Sequence, residues 1–533
     1  MREEVAAFLR EHEAAVRPLE KALNEAAWQL ALTGEDRWKE EVVRLAIARR
    51  GLSADPVGYR RLHDWHGRRA DLADPIQARQ VRQLFLEFRA SQMDPETLEA
   101  LERLAAEAEQ RFDTFRSTLA GQPATANALE EILRASDDGP PRQRAWEASQ
   151  QIGPEVAPLV QEMVRHRNRV ARGMGFPDHF AFALETRELA EGPLFVLLEE
   201  VDRRTAGPFL VEKARLDAEL CARFGVIAGD LRPWHYADPF FQHPPPRRGL
   251  TLDALFAGAD LPALMVASFD GIGLEVRDIL ARSDLFEKPG KSQHGFCADI
   301  DREGDIRILC NLVGNEHWMR TLLHEGGHAV YDKYVDRSLP YFLRRPAHAC
   351  TTEAVAMLLE RQIYQAPWLT AVAGLPAGEA AALAAAAAAH HRFGLLLFAR
   401  WALVMIHFER ALYRTPEADL DRLWWTLKAR FQGLTPPVAR RGPDWAAKLH
   451  LALAPVYYQN YLLGELFASQ LHRAIQGWVP GGRLALNPAA GAFLRERVFA
   501  PANRWPWPRL VAEATEGPLS PEAFAAEAGA EGR

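Results

Sequence analysis

Two histidines four residues apart, His324 and His328, with Glu325 directly after the first, restrict this chain more than any other feature. Residues i and i+4 share one face of an α-helix, so both imidazoles reach a single point only if the segment is helical. A zinc ion gripped there needs a third protein ligand and one open position, because a closed coordination sphere cannot activate water. The pattern therefore demands a second element within ligand reach of the first. Glu325 is the residue type that takes a proton from zinc-activated water. The alternative is a structural helix whose histidines are packed, hydrogen-bonded core residues. Gly326 and Gly327 argue against it, since each costs a helix interior about 1 kcal/mol relative to Ala. Close approach of backbone, metal or substrate gives them a reason.

Glu353 is the candidate third ligand. It lies in Thr351-Thr352-Glu353-Ala354-Val355-Ala356-Met357-Leu358-Leu359-Glu360, whose apolar spacing predicts a second buried helix. Two antiparallel helices joined by a segment from about 335 to 349 would bring His324, His328 and Glu353 together. Glu353 as a merely solvated residue fits poorly with its apolar neighbours, because an unpaired buried carboxylate is costly. Glu360, seven residues on and on the same face, could orient a ligand imidazole through its free N–H, or serve in an exposed salt bridge.

A chain of 533 residues exceeds one ordinary hydrophobic core, which predicts two lobes or one large helical body with a cleft. The net charge of −7 gives no electrostatic case for nucleic acid or an anionic membrane. The N-terminal residues begin an amphipathic helix rather than an export signal. The longest apolar run, 393–408, is interrupted by Arg400 and predicts a buried core helix, not a membrane span. Cys221, Cys297, Cys310 and Cys350 are scattered without metal-site spacing, which is simplest as reduced thiols in a cytoplasm. Helical periodicity runs from Arg2 to about Leu220, with breaks at Gly51-Leu52-Ser53, Gly121-Gln122-Pro123 and Asp137-Asp138-Gly139-Pro140-Pro141, and Pro239 through Pro246 reads as a surface connection.

One strand pair is predicted, 295–301 and 306–312, with a turn at Arg302-Glu303-Gly304-Asp305. Its edge could bind an extended peptide by strand addition, or the hairpin could simply brace the histidine helix. Downstream, Lys448-Leu449-His450 precedes Tyr457-Tyr458-Gln459-Asn460-Tyr461. Peptide hydrolysis builds charge on a carbonyl oxygen, and His450 and Tyr461 are suitable donors to it. The same cluster also reads as aromatic core packing.

These segments, His324-Glu325-Gly326-Gly327-His328, Leu343-Arg344-Arg345 followed by Glu353, Lys448-Leu449-His450, and Tyr458 with Tyr461, resemble the angiotensin-converting enzyme family of zinc dipeptidyl carboxypeptidases. Some features are shared with thimet oligopeptidases. The resemblance extends to Ala26-Ala27-Trp28, Ala145-Trp146-Glu147, Glu287-Lys288-Pro289 with His294, and Trp507-Pro508. It implies a mainly α, two-lobed helical ellipsoid with a deep central cleft and a small hairpin beside the zinc helix. It also implies one zinc ion per chain, held by His324, His328 and Glu353, with Glu325 as general base. His450 and Tyr461 would stabilise the tetrahedral intermediate. Lys448 and Tyr458 would grip a substrate's C-terminal carboxylate, and His294 with the following strand would hold the peptide backbone.

Four positions depart from the family pattern. Met357 replaces the Asp that supports a zinc histidine, leaving that task to Glu360. Asn460 replaces a chloride-ligating Arg, which argues against chloride activation. The Gln completing the carboxylate pocket is not found near Trp234-His235-Tyr236, and the His450-to-Tyr461 spacing is one residue longer.

The expected organisation is a single peptidase domain over 1–533: lid helices to 125, a helical body over 126–285, a catalytic half over 286–475, and a C-terminal packing segment over 476–533. The expected activity is zinc-dependent hydrolysis of short peptides in the cytoplasm, with no nucleic-acid or membrane partner. The rivals are an endo-acting oligopeptidase that ignores the terminal carboxylate and a catalytically silent peptide-binding scaffold. The sequence specifies no oligomeric state.

Overall fold

The computed structural model describes residues 1–245, 252–292, 294–438 and 440–529. The protein is mainly α-helical, with two small antiparallel two-stranded sheets among the described residues. The chain forms two compact units, each assembled from separated segments. The first comprises Met1–Gln92, Leu250–Ala387 and Leu463–Phe524; the second comprises Met93–Gly249, Ala388–Leu462 and Ala525–Arg533.

In the first unit, helix Arg2–Thr33 buries Val5, Phe8, Leu9 and Val16, against a cluster that includes Leu84, Phe85 and Phe88 of helix Pro75–Ala90. The latter helix also buries Arg79, whose guanidinium donates to the backbone carbonyl (3.1 Å) and side-chain oxygen (2.5 Å) of Asn503. Segments more than 400 residues apart thus meet in one buried polar contact.

The hairpin predicted before the histidine helix pairs Phe296–Asp299 with Ile306–Leu309, in the register Phe296 opposite Leu309 and Asp299 opposite Ile306. Its turn is built by acceptors in the sequence itself. Asp299 takes the N–H of Arg302 at 2.8 Å and Asp301 that of Glu303 at 2.9 Å, while Gly304 adopts φ 118°, which side chains resist.

A second hairpin, Ser117–Leu119 with Gln122–Ala124, lies at the break expected at Gly121-Gln122-Pro123, where no strand was predicted, whereas helix Asp36–Ala54 runs through the break expected at Gly51-Leu52-Ser53 and ends before Asp55. Ala120 and Gly121 take positive φ, as a two-residue turn requires. The strands are too short for alternation to show in sequence.

The apolar run 393–408 falls inside helix Ala377–Arg414 and is largely buried; its Arg400 is 2% exposed and paired with Asp202. Among the described residues no helix is long and apolar enough to cross a membrane. All four cysteines are free. The expectation of a surface connection from Pro239 is corrected for its first residues: Phe241 is 1% exposed, and the Phe240 carbonyl accepts Lys428 Nζ at 2.8 Å. Asp238 takes the N–H of Phe240 at 2.9 Å, so the backbone is satisfied and can be buried. Pro246 lies outside the described residues.

Candidate metal centre and active site

Helix Glu316–Lys333 starts at Asn315, whose side chain accepts the N–H of Trp318 at 2.9 Å. Met319, Leu322, Leu323, Ala329 and Val330 bury one side. Helix Ala349–Glu360 starts at His348 and is buried almost throughout, Glu353 included. The glycines explain how closely the first helix is approached. A Cβ on Gly327 would stand 2.6 Å from the Ala356 Cα, and one on Gly326 would meet the ends of Met265 and Phe269 at 2.6–2.7 Å. On helix Tyr458–Trp478, Gly464 plays the same part, leaving room for the Glu353 Cβ at 2.9 Å from where its own would be. Close backbone and side-chain approach is therefore the reason for glycine here.

One ligand atom from each of His324, His328 and Glu353 lies within 4.8 Å of the other two. His324 Nε2 stands 3.7 Å from Glu353 Oε2. Zinc–ligand bonds of about 2.0–2.2 Å place tetrahedral donors about 3.3–3.6 Å apart, so the set fits zinc with small adjustment. Both rings are held through their other nitrogen. His324 Nδ1 lies 3.0 Å from Glu360 Oε2, and Glu360 Oε1 in turn accepts Arg320 Nη2 at 2.8 Å. His328 Nδ1 lies 2.6 Å from Thr352 Oγ1. Nε2 of each imidazole is thus the nitrogen left for a metal.

The charges are unequal. Burial works against a protonated His324, but the hydrogen bond and charge of Glu360, reinforced by Glu325 and Glu353, outweigh it and raise the pKa to about 9. Burial and the nearby His324 charge lower His328 to about 3, so that ring is neutral. Burial, aided by the charge of Glu353, raises Glu325 to about 7 against the pull of His324 and a backbone hydrogen bond from Cys297. That bond ties the hairpin strand Phe296–Asp299 to the histidine helix. Burial also opposes ionisation of Glu360, but Arg320 and His324 hold its carboxyl well below the usual range. Buried acids of this kind gain from a bound cation.

His294 is exposed and sits just before the strand, its N–H 3.4 Å from Ser292 Oγ. The next residue, Gly295, abuts Thr321 of the histidine helix, where a Cβ would meet Cγ2 at 2.9 Å.

The second unit gathers the downstream residues. The His450 ring lies 5.0 Å from that of Tyr458 and 6.2 Å from that of Tyr461, and the two tyrosine rings are 5.5 Å apart. Trp401 Nε1 donates to the Tyr458 hydroxyl at 2.9 Å, which leaves that hydroxyl's own proton to donate. Lys448 Nζ donates to Gln242 Oε1 at 3.0 Å and stands over the Phe240 and Trp401 rings. Burial lowers Lys448 to about 8 despite Asp238 and Glu130, and lowers His450 to about 4. Among the described residues no carboxylate lies within ion-pairing distance of Lys448. Gln242 was missed in sequence because it was sought several residues earlier, around Trp234-His235-Tyr236. Thr352 was missed because a threonine inside an apolar helix carries no signal of its own.

Residues 281–477, which include His294, His324, Glu325, His328, Glu353, Glu360, Lys448, His450, Tyr458 and Tyr461, match the family described as angiotensin-converting enzyme. The angiotensin-converting enzyme of Theromyzon tessulatum is 25% identical over 251 residues, covering 43% of this chain and 39% of that protein. That of Mus musculus is 25% identical over 445 residues, 72% of this chain and 32% of the mouse protein. That of Mesocricetus auratus is 26% identical over 453 residues, 75% of this chain and 33% of the hamster protein. The matched stretch thus spans 32–39% of the length of these relatives.

Proposed function

We propose that this chain, which is angiotensin-converting enzyme-like over most of its length, is a zinc-dependent peptidase that acts on short peptides and removes dipeptides from their C-terminal end. The observation that carries the reading is the meeting of His324, His328 and Glu353 beside Glu325, with both imidazoles oriented through Nδ1. Zinc bound there supplies a Lewis acid that polarises a peptide carbonyl and acidifies water. Glu325 takes the water proton on its carboxylate and later returns it to the leaving amine. Its buried position favours this, because a base near neutral pKa both accepts and releases a proton readily. Glu360 and Thr352 keep each imidazole's Nε2 available. To His450 and Tyr461 we assign hydrogen bonds to the developing oxyanion, as the resemblance implies.

The dipeptide step rests on Lys448, Gln242 and Tyr458, a half-buried ammonium, an amide and a hydroxyl with its own proton to donate, grouped in the second unit. A terminal carboxylate is the natural partner for such a group. Metal analysis with a quenched-peptide assay, with and without chelator, tests the peptidase reading. Glu325→Gln should retain zinc and lose nearly all turnover; wild-type rates in that variant would remove Glu325 as base. Amidating the test peptide's C-terminus separates the two modes of cleavage. A large loss of rate supports the carboxylate clamp, and an unchanged rate supports endo-acting cleavage.

A further inference from the structure

The turn between helix Leu449–Leu453, which bears His450, and helix Tyr458–Trp478, which bears Tyr458 and Tyr461, is held in a conformation it would not choose. Val456 is fully buried at φ 53°, a left-handed backbone that a β-branched residue rarely adopts. Such a residue persists only where its surroundings over-determine it. Here they do. The Val456 N–H donates to Glu409 Oε1 at 2.7 Å, and its carbonyl accepts Gln459 Nε2 at 2.6 Å and a short contact from Arg187. The same Arg187 nitrogen donates to the Pro455 carbonyl at 3.0 Å, and Arg167 reaches the Ala452 carbonyl at 3.5 Å and the Tyr413 hydroxyl at 3.1 Å.

Glu409 is 2% exposed, on the stretch of helix Ala377–Arg414 behind the turn. A carboxylate is expensive at such a site, and a purely apolar helix position would need none. Its charge is faced by Arg187 and Arg167, the two cations that also grip the turn's carbonyls. One carboxyl group and two cations therefore fasten both the N–H and C=O groups of a single strained turn; burial raises the Glu409 pKa to about 7 against the pull of both arginines, and in either protonation state an oxygen accepts the Val456 N–H. The rings of His450, Tyr458 and Tyr461, on either side of it, are spaced by that turn.

We infer that Glu409, acting with Arg187 and Arg167, is a positioning residue that fixes the Val456 turn and so sets the relative placement of His450, Tyr458 and Tyr461. The inference rests on the peptidase reading for its catalytic consequence, but the geometry it claims can be tested without it.

The test uses the full-length zinc-loaded protein. Glu409→Ala removes the acceptor, whereas Glu409→Gln keeps an amide oxygen where the carboxylate oxygen stood. Glu409→Ala should lower kcat about 10- to 100-fold with zinc content kept and the folded state retained at the assay temperature, as expected when catalytic groups shift by about 1 Å. It should also speed amide hydrogen exchange over residues 454–461. Glu409→Gln should recover most of kcat and of the exchange protection. If Glu409→Ala does not fold, Arg187→Met is read in its place, with the same direction expected. Wild-type kcat and unchanged exchange in the variant would overturn the inference. So would a loss of kcat in a folded variant that is accounted for by a loss of zinc. An inactive wild-type protein would instead sink the peptidase reading, and exchange would still decide the role of the turn.

Discussion

Gly327→Ala is a one-carbon perturbation aimed at the spacing of the two ligand helices. The added Cβ would lie 2.6 Å from the Cα and 3.0 Å from the nitrogen of Ala356. Both are backbone atoms, so no change of rotamer relieves the contact. Helix Ala349–Glu360 must retreat by about 0.8 Å to regain an ordinary contact of 3.4 Å. Overpacking costs about 1–3 kcal/mol, and the better helix propensity of Ala returns about 1 kcal/mol. Stability therefore falls by about 0–2 kcal/mol. The sharper effect is on metal, because Ala356 is one turn from Glu353 and carries it along. Zinc bond lengths tolerate only about ±0.2 Å, so zinc affinity should drop at least about 10-fold. Chelator competition measures it. Gly51→Ala, inside helix Asp36–Ala54 with open space around it, is the control and should stabilise by up to about 1 kcal/mol. If Gly327→Ala binds zinc as tightly as wild type, the claim that helix contact sets the ligand spacing is wrong.

Other expectations concern protons and partners. With its pKa near 9, metal-free His324 is protonated at neutral pH, so zinc must displace that proton. Affinity should rise with pH and level off above about 9, and calorimetry in buffers of different ionisation enthalpy should show about one proton released at pH 7. Thr352→Val and Glu360→Gln should each weaken zinc about 10- to 100-fold by chelator competition, since each loosens one imidazole. Lys448 loses its charge as pH passes about 8, so KM for a free-carboxylate peptide should climb above that pH. An amidated peptide should show no such rise.

The candidate site was legible where chemistry is written as spacing. His324, Glu325 and His328 define a helix face, and the apolar run around Glu353 defines its neighbour, so both helices and their connection could be placed. The hairpin was legible too, because Arg302-Glu303-Gly304-Asp305 separates two alternating runs. What escaped was set by tertiary neighbours. Thr352 matters only because the His328 ring stops beside it, and Gln242 only because Lys448 arrives from 206 residues away. The short strands around Ala120-Gly121 offer too few residues for periodicity, and their turn was seen only as a helix break. Phe241 looked like part of a surface connection because the partners that satisfy its neighbours' backbone, Lys428 and Asp238, cannot be inferred from proline content.

The discontinuous make-up of the first unit bears on how the chain folds during synthesis. Arg79 must wait for Asn503, 424 residues later. At about 5–20 residues per second that delay is on the order of 20–80 s on the ribosome. Through that interval a guanidinium destined for burial lacks its final partner, although the apolar side of its helix can already pack on helix Arg2–Thr33. The helix that carries Arg79 accordingly gains from chaperone protection until Asn503 emerges. Ribosome-bound chains halted before Asn503 should remain protease-sensitive there even with both ligand helices already made.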